Sequence, residues 1–227
     1  MTTADVDGYF FYEPGIVRKN PVFVEVGAYT DHAVRPLKAA YPTSRMLVVE
    51  ASPTCLESLR EYVVLYEGVQ VLPAALARED GPVAFYEFKT GPDGFSVFDR
   101  SEQGLVVSAK MTAKGMRLSS LLREAGLSEV DLLMLNCEGA ELFALEEMAA
   151  SSALRGVVRQ VGVSFHCEYD VVMYEMQRMY EALAGVAAWY DVTMRTTCRP
   201  TYYLLVRRDL KVASVGGVAQ FGRAHPS

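Results

Sequence analysis

The hydrophobic positions of this chain fall into short apolar runs that alternate with stretches of helical period. Pro21-Val-Phe-Val-Glu-Val26, Met46-Leu-Val-Val-Glu50, Val69 to Leu72, Asp131-Leu-Leu-Met-Leu135 and Val157 to Phe165 are such runs. Near-continuous apolar strands of this kind belong to a sheet covered on both faces. Between them, His32 to Tyr41 (stopped by Pro42), Ser52 to Tyr66, Arg117 to Ala125 (closed by Gly126), the stretch from Asn136 to about Ala150, and Val171 to Leu183 (ended by Gly185) read as helices. Ser52-Pro53 supplies an N-cap followed by a proline in the first turn. Trp189 to Met194 and Thr201 to Val206 form a terminal pair of strands. The alternation predicts an α/β, Rossmann-like domain of about seven strands with helices on both faces.

One stretch breaks the rhythm. Residues 81–112 carry Gly81-Pro82, Gly91-Pro92 and Asp93-Gly94 around Val-Ala-Phe-Tyr-Glu-Phe and Phe-Ser-Val-Phe. They read as extended pieces joined by turns. The organisation expected is an N-terminal extension (1–20), one domain (21–212) with residues 81–112 as an insertion, and a flexible tail (213–227) rich in Gly, Ala and Ser.

Composition narrows the class. At 227 residues and 51% hydrophobic, the chain has room for one large buried core. No apolar run reaches the roughly 18 residues of a membrane helix. The first residues carry acids where a secretory leader would carry cations, which points to the cytoplasm and away from a membrane. A net charge of −6 without Lys/Arg clusters argues against nonspecific nucleic-acid binding. Cys55, Cys137, Cys167 and Cys198 lie far apart and form no C-x-x-C pair, so reduced thiols are expected rather than disulfides or zinc. His32, His166 and His225 share no metal-ligand spacing, and no metal is expected. The sequence leaves the oligomeric state open.

The chemistry-bearing residues stand at the carboxyl ends of the expected strands, where ligands of such sheets bind. The first group is Glu25-Val-Gly27-Ala-Tyr29-Thr-Asp31. A glycine there lets backbone approach a ligand, although alone it would equally serve a tight turn. The second is Glu50, a carboxylate suited to the ribose hydroxyls of an adenosine cofactor; alternatively it is a solvated or capping acid. A dinucleotide fingerprint would read G-x-G-x-x-G, whereas this span is G-A-Y-T-D-H. Glu25 and Asp31 would repel a pyrophosphate and suit a cation-bearing zwitterion. The acids therefore select S-adenosylmethionine over a nicotinamide dinucleotide, with S-adenosylhomocysteine as the product.

Asn136 and Glu138, in Asn136-Cys-Glu138-Gly-Ala-Glu141, face the same crevice and are read as contacts to the cofactor or substrate. They equally suit a helix N-terminus, where Asn136 caps and Glu138 and Glu141 favour the dipole. His166 ends the run Val161-Gly-Val-Ser-Phe-His166, with Glu168 and Asp170 close behind to orient it. Its ordinary titration range fits a general base, and a purely structural histidine is the other reading. His32, beside the first loop, is its competitor and a candidate substrate contact. In the insertion, Phe85, Tyr86, Phe88, Phe95 and Phe98 suit either an apolar acceptor or a hairpin core, and Phe95 and Phe98 are taken as substrate contacts.

F-V-E-V-G-A-x-T-D at the first strand, Glu50 in V-V-E-A-S-P, Pro73-Ala-Ala-Leu-Ala with Asp80-Gly81, and D-L-L-x-L-x-C-E-G-A-E-x-x-A-L run in order over residues 22–165. This set resembles the FkbM family of methyltransferases. The resemblance implies a class I methyltransferase fold with a seven-stranded, mostly parallel sheet whose seventh strand is antiparallel. It also implies O-methylation of a hydroxyl on a small natural product or sugar. By the same likeness, Glu25, Gly27, Tyr29, Asp31, Glu50, Ala51, Ala75, Asn136 and Glu138 would hold the cofactor. The family usually has Lys where this chain has Met134 and Asp where it has Asn136, and Asp31 replaces a second glycine. Those departures keep open a non-catalytic binding protein of Rossmann type; a nicotinamide-dependent oxidoreductase is the weaker alternative.

Overall fold

A computed structural model of the chain describes residues 3–6, 8, 10–30, 33–89, 95–101, 105–165, 172–194 and 202–211. Its main sheet has seven strands: β3 (Val22–Val26), β4 (Arg45–Glu50), β5 (Val69–Pro73), β9 (Leu132–Leu135), β10 (Gln160–Ser164), β11 (Tyr190–Met194) and β12 (Tyr202–Arg207). Their order is β11-β12-β10-β9-β3-β4-β5. β3, β4, β5, β9 and β10 pair in parallel, while β12 runs antiparallel to both β10 and β11. The expected seven-stranded class I arrangement, with its last strand reversed, is the one observed. From β3 the chain winds outward through β4 and β5, then returns to place β9 on the other side of β3. That reversal opens a crevice at the carboxyl ends of β3 and β9.

Alternate residues of the central strands feed two cores. Val24, Val26, Leu47, Val49, Leu133 and Leu135 pack with α3 (Leu118–Glu124), α4 (Glu141–Ala150) and α6 (Val172–Val186). Phe23, Met46, Val48, Leu132 and Met134 pack on the other face with α1 (Val34–Ala40) and α2 (Pro53–Val63). This period-two division over both faces is why the strands read as unbroken apolar runs. Ser52 caps α2 by accepting from the Cys55 amide at 3.3 Å, with Pro53 directly after it. The short strands β1 (Ala4–Asp5) and β2 (Phe11–Tyr12) pair with each other, and Phe10 and Tyr12 join the second core. Arg18 ties the same stretch to the buried Asp131.

Several expected boundaries move. Helix α1 begins at Val34, and α2 stops at Val63 rather than Tyr66. A short helix, α5 (Ser152–Val157), precedes β10, so that strand starts three residues later than the apolar run suggests. Gly185 lies inside α6 instead of ending it, and a Cβ there would come within 3.0 Å of Ala149 Cβ on α4. The glycine serves helix–helix approach, not termination. In the insertion, β7 (Gly81–Phe88) pairs antiparallel with β8 (Val107–Met116), and β6 (Ala75–Leu76) adds to β8 in parallel. Of the other extended piece, Phe95 to Phe98, the described residues make one bridge, Ser96 to Tyr86. β8 carries the period-two alternation of a half-buried strand in V-S-A-K-M-T-A-K, but few β-branched or aromatic side chains mark it. The tail from 213 lies outside the described residues. No helix among the described residues is long and apolar enough to cross a membrane.

Candidate functional site

Gly27 follows β3 with φ +81°, and a Cβ on it would stand 1.9 Å from the Asn136 carbonyl oxygen. The loops after β3 and β9 are in backbone contact there: the Asn136 amide donates to Val26 O at 3.0 Å and the Cys137 thiol to the same oxygen at 3.2 Å. The side on which a Cβ would stand is closed by main chain. The space is filled by the neighbouring strand's loop, and the glycine is required for that approach.

Glu50, at the end of β4, organises the adjoining backbone. Its Oε2 accepts from the Tyr29 amide at 2.8 Å, and its Oε1 accepts from the amides of Ala51 and Ser52 at 2.8 and 2.7 Å. Tyr29 is held at φ +53°, a left-handed position for a non-glycine residue. The carboxyl is raised above its ordinary pKa because burial outweighs these three bonds. The amides of Gly27 and Ala28 donate to Val49 O at 2.9 and 3.3 Å. The amides of Gly27, Ala28 and Tyr29 are therefore spent on the protein, unlike those of a phosphate-binding loop.

After β9 the same logic recurs. Glu141, fully buried at the start of α4, accepts from Cys137 N at 2.6 Å and Gly139 N at 2.9 Å. Those bonds hold Glu138 at φ +52° and Gly139 at φ +103°. Glu138 receives Arg100 on its carboxylate at 2.9 Å and on its carbonyl at 2.5 Å, and Ser96 Oγ on the same carbonyl at 2.8 Å. Burial and nearby carboxylates push the Cys137 thiol well above its ordinary pKa, so it remains a protonated donor.

These loops line an open cleft of about 660 Å³, the solvent at its mouth included. Gly27, Tyr29, Glu50, Ala51, Ala75, Asn136 and Glu138 line it, seven of the nine positions expected to meet the cofactor. Asn136 Oδ1 is buried there with no hydrogen-bond partner among the described residues. A buried acceptor of this kind costs about 1–3 kcal/mol unless a ligand or water satisfies it. Glu25 stands apart from the lining: it is 1% exposed and registers with Val48 and Met134 in the sheet. Asp31 lies outside the described residues, as do His32 and His166.

The opposite wall comes from the insertion and the β5–β6 corner: Phe85, Phe95, Val97, Ala74 and Leu76. Phe95 lines the cleft. Phe98 turns elsewhere, 5.7 Å from the Phe143 ring and against Gly139, where a Cβ would meet the Phe98 ring at 3.1 Å. Val97 and Arg100 were not singled out by sequence reasoning, because a single valine and a single arginine in a turn-rich stretch carry no periodic signal. Among the described residues no group of three or more His, Cys, Asp or Glu is arranged to hold a metal ion.

Residues 25–191 match the methyltransferase FkbM domain. A curated relative, methyltransferase sdnD of Sordaria araneosa, is 26% identical over 163 residues, 60% of this chain and 63% of the relative's own length. Among solved structures, a candidate rRNA methylase of Clostridium thermocellum superposes with a TM-score of 0.51 at 11% identity, covering 84% of this chain and 88% of that one. That likeness is one of fold.

Proposed function

The chain belongs to the FkbM methyltransferase family, and on that premise we propose that it methylates a hydroxyl oxygen of a small molecule, a natural product or a sugar, with S-adenosylmethionine as donor. The observation that carries the cofactor reading is the polarity of the cleft. The amides of Gly27, Ala28, Tyr29, Ala51, Ser52, Cys137 and Gly139 are committed to Val49, Glu50 and Glu141, whereas Asn136 Oδ1 is a buried acceptor with no partner among the described residues. A site that offers acceptors and acids suits a ligand rich in donors and positive charge. It does not suit a pyrophosphate, which disfavours the oxidoreductase reading.

S-adenosylmethionine supplies an electrophilic methyl group on a sulfonium. Asn136 Oδ1 accepts from one of the ligand's N–H or O–H groups. Glu50 has about four acceptor sites and three are taken by amides, so it serves one ribose hydroxyl rather than both. The small side chains of Ala51, Ala74 and Ala75 leave room for a flat base. Phe85, Phe95 and Val97 form the side on which an acceptor is placed and water excluded, and placement supplies much of the acceleration. His166 is assigned on sequence grounds as the group that takes the acceptor's hydroxyl proton.

Titration calorimetry with S-adenosylhomocysteine and with NAD tests the reading. Binding of the first and not the second is expected. The reverse would overturn it.

A further inference from the structure

Among the described residues, the wall that carries Phe95 and Val97 is held from two sides by short-range contacts. On one side, Ser96 exchanges backbone bonds with Tyr86 of β7, Tyr86 N to Ser96 O at 2.8 Å and Ser96 N to Tyr86 O at 3.0 Å. On the other, Arg100 reaches across to the loop after β9. One of its nitrogens donates to the Glu138 carboxylate and another to the Glu138 carbonyl, and Ser96 Oγ donates to that carbonyl as well. Ser96 Oγ also accepts from the Phe98 amide at 3.1 Å. The pair is largely dry: the side chains of Arg100 and Glu138 are 6% and 14% exposed.

We infer that Arg100 is a positioning residue. It latches residues 95–101 onto Glu138, so that the Phe95–Val97 wall and the Asn136–Glu138 floor of the cleft move as one unit. This rests on the reading of the cleft given above for its ligand, but the latch itself is a property of the free protein. Three features make it more than a surface ion pair. The guanidinium is used as a fork, joining a side chain and a main-chain oxygen of one residue, a geometry that a lysine cannot reproduce. Its partner sits at φ +52°, a conformation that a residue with a Cβ holds only when its surroundings over-determine it. The same loop carries Asn136, the buried acceptor, so a ligand that engages Asn136 restrains Glu138 and, through Arg100, the wall. Occupation of the cofactor side then orders the acceptor side.

Hydrogen exchange read by mass spectrometry tests this on the full chain. Without ligand, Arg100→Ala should speed exchange at least tenfold in residues 95–101 and 137–139, while peptides of β3 and β4 keep wild-type rates. Arg100→Lys should restore part of the protection, and Glu138→Gln, which keeps the carbonyl contacts, should lose less than Arg100→Ala. S-adenosylhomocysteine should slow exchange at 95–101 in the wild type. In Arg100→Lys, compared at saturating ligand, that protection should shrink. Unchanged exchange at 95–101 in Arg100→Ala overturns the latch. Should Arg100→Ala unfold, Arg100→Lys and Glu138→Gln decide in its place: wild-type local rates in both overturn the latch. Failure of the wild type to bind S-adenosylhomocysteine would overturn the cofactor reading instead, and the ligand-free rates would still report on Arg100.

Discussion

The two sides of the cleft are built by different means. The side formed by β3, β4 and β9 is fixed by backbone: Gly27 against the Asn136 carbonyl, and buried Glu50 and Glu141 each gathering amides from neighbouring turns. The side formed by the β7–β8 hairpin and residues 95–101 is joined to the first by side chains, above all Arg100 on Glu138 and Phe98 on Gly139. The first construction tolerates little change and suits a ligand common to a family. The second is coupled to it at Glu138 and Gly139 and can be rewritten without disturbing the sheet, as an acceptor pocket requires.

The sharpest way to separate the sides is a substitution that acts on one alone. His166→Ala should lower kcat by about 10²–10⁴, the usual worth of general-base catalysis, with S-adenosylhomocysteine affinity nearly unchanged. Steady-state kinetics beside calorimetry would check both halves. A lower melting temperature with an unchanged kcat would mark a structural histidine. His32→Ala is the control, because it should chiefly disturb cofactor binding. Gly27→Ala should strike the backbone-built side. Strain at φ +81° adds to a collision with main chain, so a loss of about 3 kcal/mol or more of stability is expected in denaturant unfolding. A variant folded as firmly as wild type would show that the two loops are free to separate.

The same contrast explains what could be read from the sequence. Strands β3, β4 and β9, and the residues at their ends, were legible because burial on both faces writes unbroken apolar runs and the chemistry follows directly after them. Glu25 differs from the rest of its motif: it pairs in register with Met134 inside the sheet and is not among the residues that line the cleft, a fact of register rather than of residue type. Gly27 was located correctly, but the atoms that require it belong to Asn136, 109 positions later in the chain, which no local pattern encodes. The hairpin side was legible only as a departure. Strand β8 lacked strong strand formers, and Arg100 acquires meaning only when residue 138 is brought beside it.

Glu50 tests the backbone-built side at a residue that does two things. Glu50→Ala removes an acceptor for the ligand and releases the amides of Tyr29, Ala51 and Ser52. It should weaken S-adenosylhomocysteine by about 1.5–3 kcal/mol, the worth of hydrogen bonds to a charged group, and lower stability as well. Equal affinity in the variant would mean that the ligand occupies another crevice. Because Glu50 holds the loops as well as the ligand, the two losses should appear together, unlike those of His166→Ala.

The smallest effect is the pH dependence of that same carboxyl, and its sign separates the two roles of Glu50. Burial raises the carboxyl's pKa in the folded protein. A carboxyl raised on folding binds its proton more readily in the native state, so its contribution to stability increases as pH falls through the folded pKa towards the unfolded value. Ligand binding should move the other way. Protonation turns one acceptor oxygen into an O–H donor, and a ribose hydroxyl then loses its charged partner. S-adenosylhomocysteine affinity should therefore decline, by less than about tenfold, as the solution is acidified from about pH 7 to 5, just above the ordinary carboxylate range. Calorimetry across that range would show it, and Glu50→Gln should flatten the profile because it has no proton to gain. A decline that persists unchanged in Glu50→Gln would assign the titration to another group and leave Glu50 with its structural role alone.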